Sequence, residues 1–438
     1  MYKPIRALGP ILLFIYVLPG RSAGAPADEQ ISKHDSHAYR DLPEQSACEL
    51  KNSSDAVECA LRNDPEIRIR YREYQSQKAA IQEAEQIPNP TLSAKLYPGD
   101  GGSGELEYRH IIELGNRREL RGDVARSRAR RSALLLELTR QNVVLHTVLH
   151  LHRLKQIAEE EDFLEKSRAA FNAAIYRLGR LPARSANQQV SLESFIMARD
   201  AVEQRKVALQ EEREDLALNL EQSFGLPLTA DQLHKIMAAH PARWPKLPGS
   251  WENALQLQVA AQEVGSATAQ FRLEQRQVWP DFRIGPNLSY AKEAGRFLDS
   301  GRSRWEAGIG FEFTIPLYQQ NEGGEARANA HRDLAQTKSG IAERKIRQTF
   351  RRLRKRYQFQ IRALQKNPSP AVMARRRNRI LGYLRRGLVS PALLIEYHRT
   401  YGEYLQSFHR TQLEALRTLW KCYALTGRIL DENIRKNP

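Results

Sequence analysis

Residues 303–319, with the sequence SRWEAGIGFEFTIPLYQ, alternate between apolar or small side chains and polar or glycine positions. The apolar or small set is Trp305, Ala307, Ile309, Phe311, Phe313 and Ile315. A period of two predicts a β-strand with one apolar face. The run is about a dozen residues, close to the ~9–11 that a tilted strand needs to cross a bilayer. A strand of a soluble β-sandwich gives the same alternation, so this stretch alone leaves both possibilities open.

Three other segments show the same period of two. They are residues 91–97, 105–113 and 281–290. Their apolar faces contain Leu92, Ala94 and Leu96 in the first, Leu106, Tyr108, His110 and Ile112 in the second, and Phe282, Ile284, Leu288 and Tyr290 in the third. The glycine-rich segment 98–104 predicts a turn that joins the first two strands into a hairpin. With residues 303–315, the chain therefore has four predicted strands.

Between the strands, apolar residues recur at helical intervals. Helices are predicted at 56–86 with a break at Pro65, 116–176, 188–224, 251–278, 322–366 and 371–386, followed by a last helix ending near Gly427. A proline-spotted link at 228–249 is expected to be irregular. A helix of about sixty residues is roughly 90 Å long, which no globular domain requires. The pattern indicates a rod or a tunnel wall with coiled-coil-like packing.

The element order helix, strand, strand, helix, turn, helix occurs twice, offset by about two hundred residues, which is typical of a duplicated unit. Predicted boundaries place the first unit at 54–227, a linker at 228–250, the second unit at 251–430 and a tail at 431–438. The fold class predicted is an α+β membrane protein. If these strands lie in a membrane, the chain must oligomerise, because four strands cannot close a barrel and an open sheet edge in lipid costs several kcal/mol per unpaired group. Three copies would supply twelve strands.

The amino terminus predicts export. Lys3 and Arg6 precede the apolar segment 11–18, and small residues follow at 23–25, so residues 1–25 have the pattern of a secretory signal peptide. A polar segment, 26–53, follows. No apolar run approaches the ~20 residues of a spanning helix, and the mean hydropathy is −0.59.

The chain contains three cysteines. Cys48 and Cys59 are spaced so that they could close a small disulfide loop. Two buried free thiols are the interpretation favoured by the sequence, and Cys422 is predicted to lie in a helical core.

The formal net charge is +17, and loss of the signal peptide would leave +14. For an exported protein, anionic lipid or anionic cargo is a more sensible partner than nucleic acid. The basic runs at 351–356 and 374–379 are interpreted as solvated helix faces in preference to a lumen lined for anions.

Candidate chemistry is sparse. His146 and His150 lie four residues apart with His152 nearby, a spacing that can hold a metal ion. No acidic or cysteine ligand accompanies them, so polar residues between packed helices are the favoured interpretation. The sequence has no nucleophile motif, paired metal signature or nucleotide loop. Neither an enzyme nor a cofactor is expected.

Several motifs together resemble a known family. IPNPTLSAKLYP, RHIIELGNRRELR at 109–121, WPDFRIG and FTIPLYQQNEGG are similar to segments of the TolC-like outer membrane efflux proteins. IELGNRRELR is most similar to the cobalt-zinc-cadmium resistance outer membrane components. The resemblance covers nearly the whole mature chain.

The resemblance implies a homotrimer with a twelve-stranded barrel in outer membrane lipid and a helical tunnel in the periplasm. It implies a passive exit duct for metal cations or drugs, docked through its helix hairpin tips to a periplasmic adaptor and driven by an inner membrane pump. The corresponding docking residues are Arg177, Leu178, Gly179 and Leu181, and Arg385, Gly387, Leu388, Val389 and Ser390.

Two departures from the family pattern concern the details of docking and gating. Pro182 stands where the family usually has a small hydroxyl residue, and the tips are basic where some members carry acidic gating residues. The alternative hypothesis is a soluble periplasmic coiled-coil scaffold.

Overall fold

The computed structural model describes residues 48–98, 102–241, 243–292, 303–368, 370–385 and 391–431. The helices are α1 Ser53–Asn63, α2 Pro65–Ala84, α3 Arg117–Gly179, α4 Ala186–Phe224, α5 Ala230–Ile236, α6 Leu255–Arg276, α7 Glu322–Lys366, α8 Pro370–Arg385 and α9 Pro391–Leu425. The strands are β1 Thr91–Tyr97, β2 Ser103–Glu113, β3 Asp281–Lys292 and β4 Ser303–Phe313. The described part is therefore mainly helical, with a single small sheet.

These elements lie close to the positions that the sequence periodicity predicts. The main difference is α5, which lies in the segment expected to be irregular. The reason is local, because Thr229 and Gln232 form a capping box that satisfies backbone N–H groups in the first turn. The predicted signal peptide lies outside the described residues.

Capping residues and a proline fix several helix boundaries. The Asp64 carboxylate accepts a hydrogen bond from the Glu66 backbone N–H at 2.9 Å, and Pro65 occupies the first position of α2, where its missing N–H costs nothing. Ser185 caps α4. Gly225, with φ of 68°, ends α4 in the left-handed conformation that glycine adopts most easily.

The four strands form one antiparallel sheet in the order β1-β2-β3-β4. Leu106 on β2 lies opposite Leu288 on β3, which lies opposite Ala307 on β4. On the other face, Lys95 lies opposite Glu105. This register keeps the predicted apolar positions on one face and most charged positions on the other. β1 and β4 are the edge strands of the described sheet.

The helix α3 is central to the helical packing. It contacts α1, α2, α4, α6 and α9, whereas α7 packs mainly against α6 and α9, and α8 packs against α9. The helices α2 and α4 therefore lie at one border of this packing, and α7 and α8 lie at the other.

Apolar side chains from different helices form buried clusters, three of which lie entirely within the described residues. The first contains Ile157, Phe163, Leu164, Leu209, Tyr401 and Leu405, the second Phe171, Phe195 and Leu394, and the third Ala254, Ile346, Phe350, Leu353, Cys422 and Leu425. Full burial of each large apolar side chain contributes about 1.5–3 kcal/mol. Among the described helices, none has both the length and the apolar character needed to cross a bilayer.

The amino-terminal cysteines correct a sequence-based expectation. Cys48 and Cys59 form a disulfide, with their Cα atoms 5.8 Å apart, whereas the sequence favoured two free thiols. The reason is that Cys48 precedes α1 by a few residues and the chain folds back beside the buried first turns of that helix. Cys422 is free and buried, as predicted.

Candidate functional site

The apolar face of the sheet is exposed in the described structure. Leu96 is 84% exposed, Ile309 68% and Phe311 64%. Further exposed apolar side chains of this face are Leu92, Leu106, Tyr108, Ile112, Leu288, Trp305 and Phe313. None of the described helices covers this surface, and a contiguous exposed apolar surface indicates contact with a protein partner or a membrane.

The opposite face of the sheet carries a network of ion pairs. Arg109 contacts Glu107 on its own strand and Glu312 on β4, and Arg283 lies 3.2 Å from Glu312. Glu107 is buried by these contacts. Charged rows across the strands suit an aqueous environment, so the two faces of the sheet match two different surroundings.

A close backbone approach holds the middle of the sheet together. A Cβ atom at Gly285 would lie 1.7 Å from the Tyr108 carbonyl oxygen, so only glycine fits there. Next to it, the Asn287 side chain fills the space beside Gly308, where a Cβ atom would lie 2.7 Å from its Oδ1.

Both connections from the sheet to a long helix have the same conformation. Asn116 before α3 and Asn321 before α7 adopt left-handed φ angles of 59° and 60°. The Asn321 side chain donates hydrogen bonds of 2.9 Å to the backbone and carboxylate oxygens of Glu274 on α6. These asparagines therefore set the angle at which the chain leaves the sheet.

The tip between α3 and α4 is ordered by side-chain contacts. Arg184 donates to the carbonyl oxygens of Leu178 at 2.8 Å and Gly179 at 2.7 Å, and the Arg180 guanidinium lies 4.9 Å from the Tyr176 ring centroid. These contacts satisfy carbonyl groups that the end of α3 leaves free.

The predicted tip residues differ in their surroundings. Arg177, Gly179 and Leu181 are exposed, whereas Leu178 packs against the Phe171 cluster. Gly179 lies within α3, and a Cβ atom there would meet nothing within 4 Å. The fold therefore does not require glycine at this position.

The second predicted tip is mostly outside the described residues. Gly387, Leu388, Val389 and Ser390 fall between the described segments, and only the backbone of Arg385, at the end of α8, is described.

A buried charged cluster connects α3, α9 and the segment before α6. His409 Nδ1 lies 2.8 Å from the Glu160 carboxylate, and Nε2 lies 3.2 Å from that of Glu159. His240 Nε2 lies 3.7 Å from Glu159, and Arg153 donates to Glu160 at 2.9 Å. The acidic run at 159–162 is visible in the sequence, but its histidine partner is about 250 residues away, so sequence reasoning missed this cluster.

The cluster shifts the protonation equilibria of its members. Burial by itself would lower the pKa of His409, but its contacts with Glu159 and Glu160 outweigh burial and raise that pKa. Burial would raise the pKa of Glu160, yet hydrogen bonds from His409 and Arg153 lower it. Opposite charges thus stabilise each other in the interior.

The histidines singled out in the sequence differ in their surroundings, since His146 is exposed and His152 is buried. The rings of His146 and His150 have centroids 6.3 Å apart. Burial, followed by the charge of His146, lowers the pKa of His150 to about 4. Within the described ranges, no group of three or more His, Cys, Asp or Glu side chains is arranged to hold a metal ion.

The basic runs are largely exposed. The arginines and lysine of 351–356 are exposed, and Arg356 contacts Glu414. In the run at 374–379, Arg375, Arg376 and Arg379 are exposed, but Arg377 is only 8% exposed.

Solved structures of outer membrane channels are similar to this chain over most of its length. The Campylobacter jejuni CmeC outer membrane channel has a TM-score of 0.67 and 13% identity, covering 90% of this chain and 93% of that one. The open state of the Neisseria gonorrhoeae MtrE outer membrane channel has a TM-score of 0.68 and 13% identity, covering 88% of this chain and 91% of that one. The outer-membrane channel OprN has a TM-score of 0.69 and 14% identity, covering 89% of this chain and 94% of that one. No protein-family model and no curated protein sequence matches the chain.

At this level of identity, the similarity shows a shared fold. The chain therefore shares the fold of these outer membrane channels, and its described part has long helices and a four-stranded antiparallel sheet. The similarity does not distinguish a cobalt-zinc-cadmium branch.

Proposed function

We propose that this chain is a TolC-like outer membrane channel that serves as the exit duct of a tripartite efflux system. The observation that carries the proposal is the exposed apolar face of the sheet, centred on Ile309 and Phe311. On the opposite face, paired charges such as Arg283 and Glu312 suit a water-filled lumen. The shared fold with outer membrane channels supports the same assignment.

Three copies would complete the structure. With β1 and β4 as sheet edges, β4 of one copy would pair with β1 of the next and give a closed barrel of twelve strands. A duplicated unit, 54–227 and 251–430, would supply two strands and two long helical segments from each half. The matching left-handed asparagines Asn116 and Asn321 support this duplication.

The duct would be passive and exported to the outer membrane by its signal peptide. An inner membrane pump would supply the energy, and a periplasmic adaptor would bind the hairpin tips at Arg177, Gly179 and Leu181 and at 385–390. Cargo of metal cations or of drugs fits such a duct. No catalytic role is proposed, since the proteins that share the fold are channels.

A pair of arginine substitutions tests the membrane assignment. Ile309→Arg places a charge on the apolar face, where it costs about 2–4 kcal/mol if the face meets lipid. Glu306→Arg places the same side chain on the other face of the same strand. The first variant should lose heat-modifiable trimers from the outer membrane fraction, and the second should retain them.

Equal behaviour of both variants, together with release of the wild-type chain as a soluble monomer on osmotic shock, would contradict the proposal. That outcome would favour a soluble periplasmic scaffold.

A glycine substitution tests adaptor docking separately. Gly179→Leu has room in the fold, as does Gly249→Leu in the linker, because neither glycine has an atom within 4 Å of a built Cβ. We expect Gly179→Leu to reduce cross-linking to the adaptor and export while trimers persist. Gly249→Leu should behave like wild type. Unchanged cross-linking in Gly179→Leu would exclude this tip from the docking surface.

A further inference from the structure

The helix α4 has a face that no described element covers. This α4 outer face lies opposite α3 and consists of Val190, Glu193, Met197, Asp200, Gln204, Val207, Glu211, Glu214 and Leu218, all exposed. The spacing alternates between three and four residues, as on a helix surface that packs against another helix. Its apolar members are between 53% and 66% exposed, which leaves a substantial apolar area without a partner.

The α4 outer face is also acidic. It contains four carboxylates and no basic side chain. Asp200 lies 2.8 Å from Arg199 and Glu214 lies 3.9 Å from Arg213, both neighbours in sequence. For Glu193 and Glu211, no ion pair is found among the described residues. A partner with matching positive charge would therefore complete this surface.

The helix α8 presents the opposite charge. Its sequence contains several arginines and no acidic residue. Arg377 is buried and Met373 packs against the Phe163 cluster, so helical geometry directs Arg375 and Arg379 to the other side, where both are exposed. In the described part of the chain, neither arginine has a carboxylate within ion-pair distance.

Contacts within the chain place the two surfaces at the same level along the helices. Met373 on α8 packs against the cluster that contains Tyr401 and Phe163. Two residues after Phe163, Glu165 lies 3.2 Å from Lys206 on α4. The arginines of α8 are thus level with the middle of the α4 outer face. Because α3 and α9 lie between α4 and α8, the two surfaces of one chain face apart.

We propose that the α4 outer face binds the Arg375 and Arg379 side of α8 in a second copy of this chain. The apolar side chains of the α4 outer face would be covered, and Asp200 and Glu211, the carboxylates that flank its middle, would pair with Arg379 and Arg375. This inference rests on the proposed trimer and adds the chemistry that joins its subunits below the sheet. Exposed ion pairs are screened over about 8 Å at physiological salt, so the contact should weaken as ionic strength rises.

Disulfide cross-linking tests the contact in the full-length protein. Met197 lies on the α4 outer face, and Gly382 lies on α8 with nothing within 4 Å of a built Cβ. A Met197→Cys/Gly382→Cys variant should form cross-linked dimers and trimers on mild oxidation. The native cysteines do not interfere, because Cys48 and Cys59 are disulfide-bonded and Cys422 is buried.

Charge reversal shows whether ion pairs drive the contact. In the cross-linking variant, Arg375→Glu/Arg379→Glu should slow cross-linking about tenfold, the sum of modest losses at exposed pairs. Asp200→Arg/Glu211→Arg added to that variant should restore the rate. Arg243→Glu/Lys246→Glu, an exposed pair in the linker, should leave the rate unchanged.

The outcomes separate this inference from the proposed function. Two results would overturn the proposed contact and leave the channel assignment intact. In both, every variant forms heat-modifiable trimers, but either no cross-link forms or charge reversal does not change the cross-linking rate. A wild-type chain that forms no trimers at all would overturn both.

Discussion

Replacement of His398 by phenylalanine should make the helical part of the protein less sensitive to acid. His398 is 5% exposed and packs against Phe171, with ring centroids 5.0 Å apart. Its Nδ1 lies 2.7 Å from Ser167 Oγ. Burial, followed by the charge of Arg377, lowers its pKa from 6.5 to about 4. The folded protein therefore holds this imidazole in the neutral form.

The sign and size of the effect follow from proton linkage. Between the unfolded pKa of 6.5 and the folded pKa of about 4, the unfolded chain binds more protons at this residue. Stability is thus fully present above pH 6.5 and falls as the pH decreases through this window. At about 1.4 kcal/mol per pKa unit, the free energy of unfolding that is lost at pH 5 because of His398 is roughly 2 kcal/mol.

Urea denaturation followed by far-UV circular dichroism at pH 7.5 and pH 5.0 measures this loss. The difference in unfolding free energy between the two pH values should be about 2 kcal/mol smaller in His398→Phe than in wild type. His331→Phe, at an exposed position of α7, serves as a control and should retain the wild-type difference. Equal acid sensitivity in His398→Phe and wild type would show that burial does not keep this imidazole neutral.

Three further predictions concern stability. Gly285→Ala should destabilise the sheet by about 1–3 kcal/mol, because the new Cβ meets the Tyr108 carbonyl, and the temperature at which the trimer loses heat-resistant mobility should fall. Phe224→Ala should lower the free energy of unfolding, measured by urea denaturation, by about 3–5 kcal/mol, since this ring is fully buried. Reduction of the Cys48–Cys59 disulfide should lower the free energy of unfolding by about 2–4 kcal/mol. A reductant should not change the free energy of unfolding of a Cys48→Ser/Cys59→Ser variant.

The strands could be predicted from the periodicity of the sequence alone. The alternation around Ile309 predicts both the strand and the face that carries its apolar side chains, because successive side chains of a strand point to opposite faces. The structure places these side chains on an exposed surface, as the membrane hypothesis requires. Prolines and capping residues such as Pro65 and Ser185 likewise act locally, so the helix boundaries could be predicted closely.

Contacts between distant segments could not be predicted. His409 and Glu160 are separated by about 250 residues, and neither residue has a local pattern that identifies the other. The Cys48–Cys59 disulfide was misjudged for a related reason, since spacing permits a bond but the path of the chain before α1 decides it. The positive charge of α8 was visible in the sequence. That the acidic α4 outer face is uncovered and lies at the same level along the helices as α8 was not.

The sequence by itself determined the elements, their order and the apolar side of each strand, because these depend on side-chain spacing and on backbone preferences within a few residues. Only the tertiary structure decided which face of each helix is covered, which charges are paired in the interior and which edges remain open. Those properties depend on the packing of α3 against α4, α6 and α9, which brings residues together irrespective of their separation along the chain.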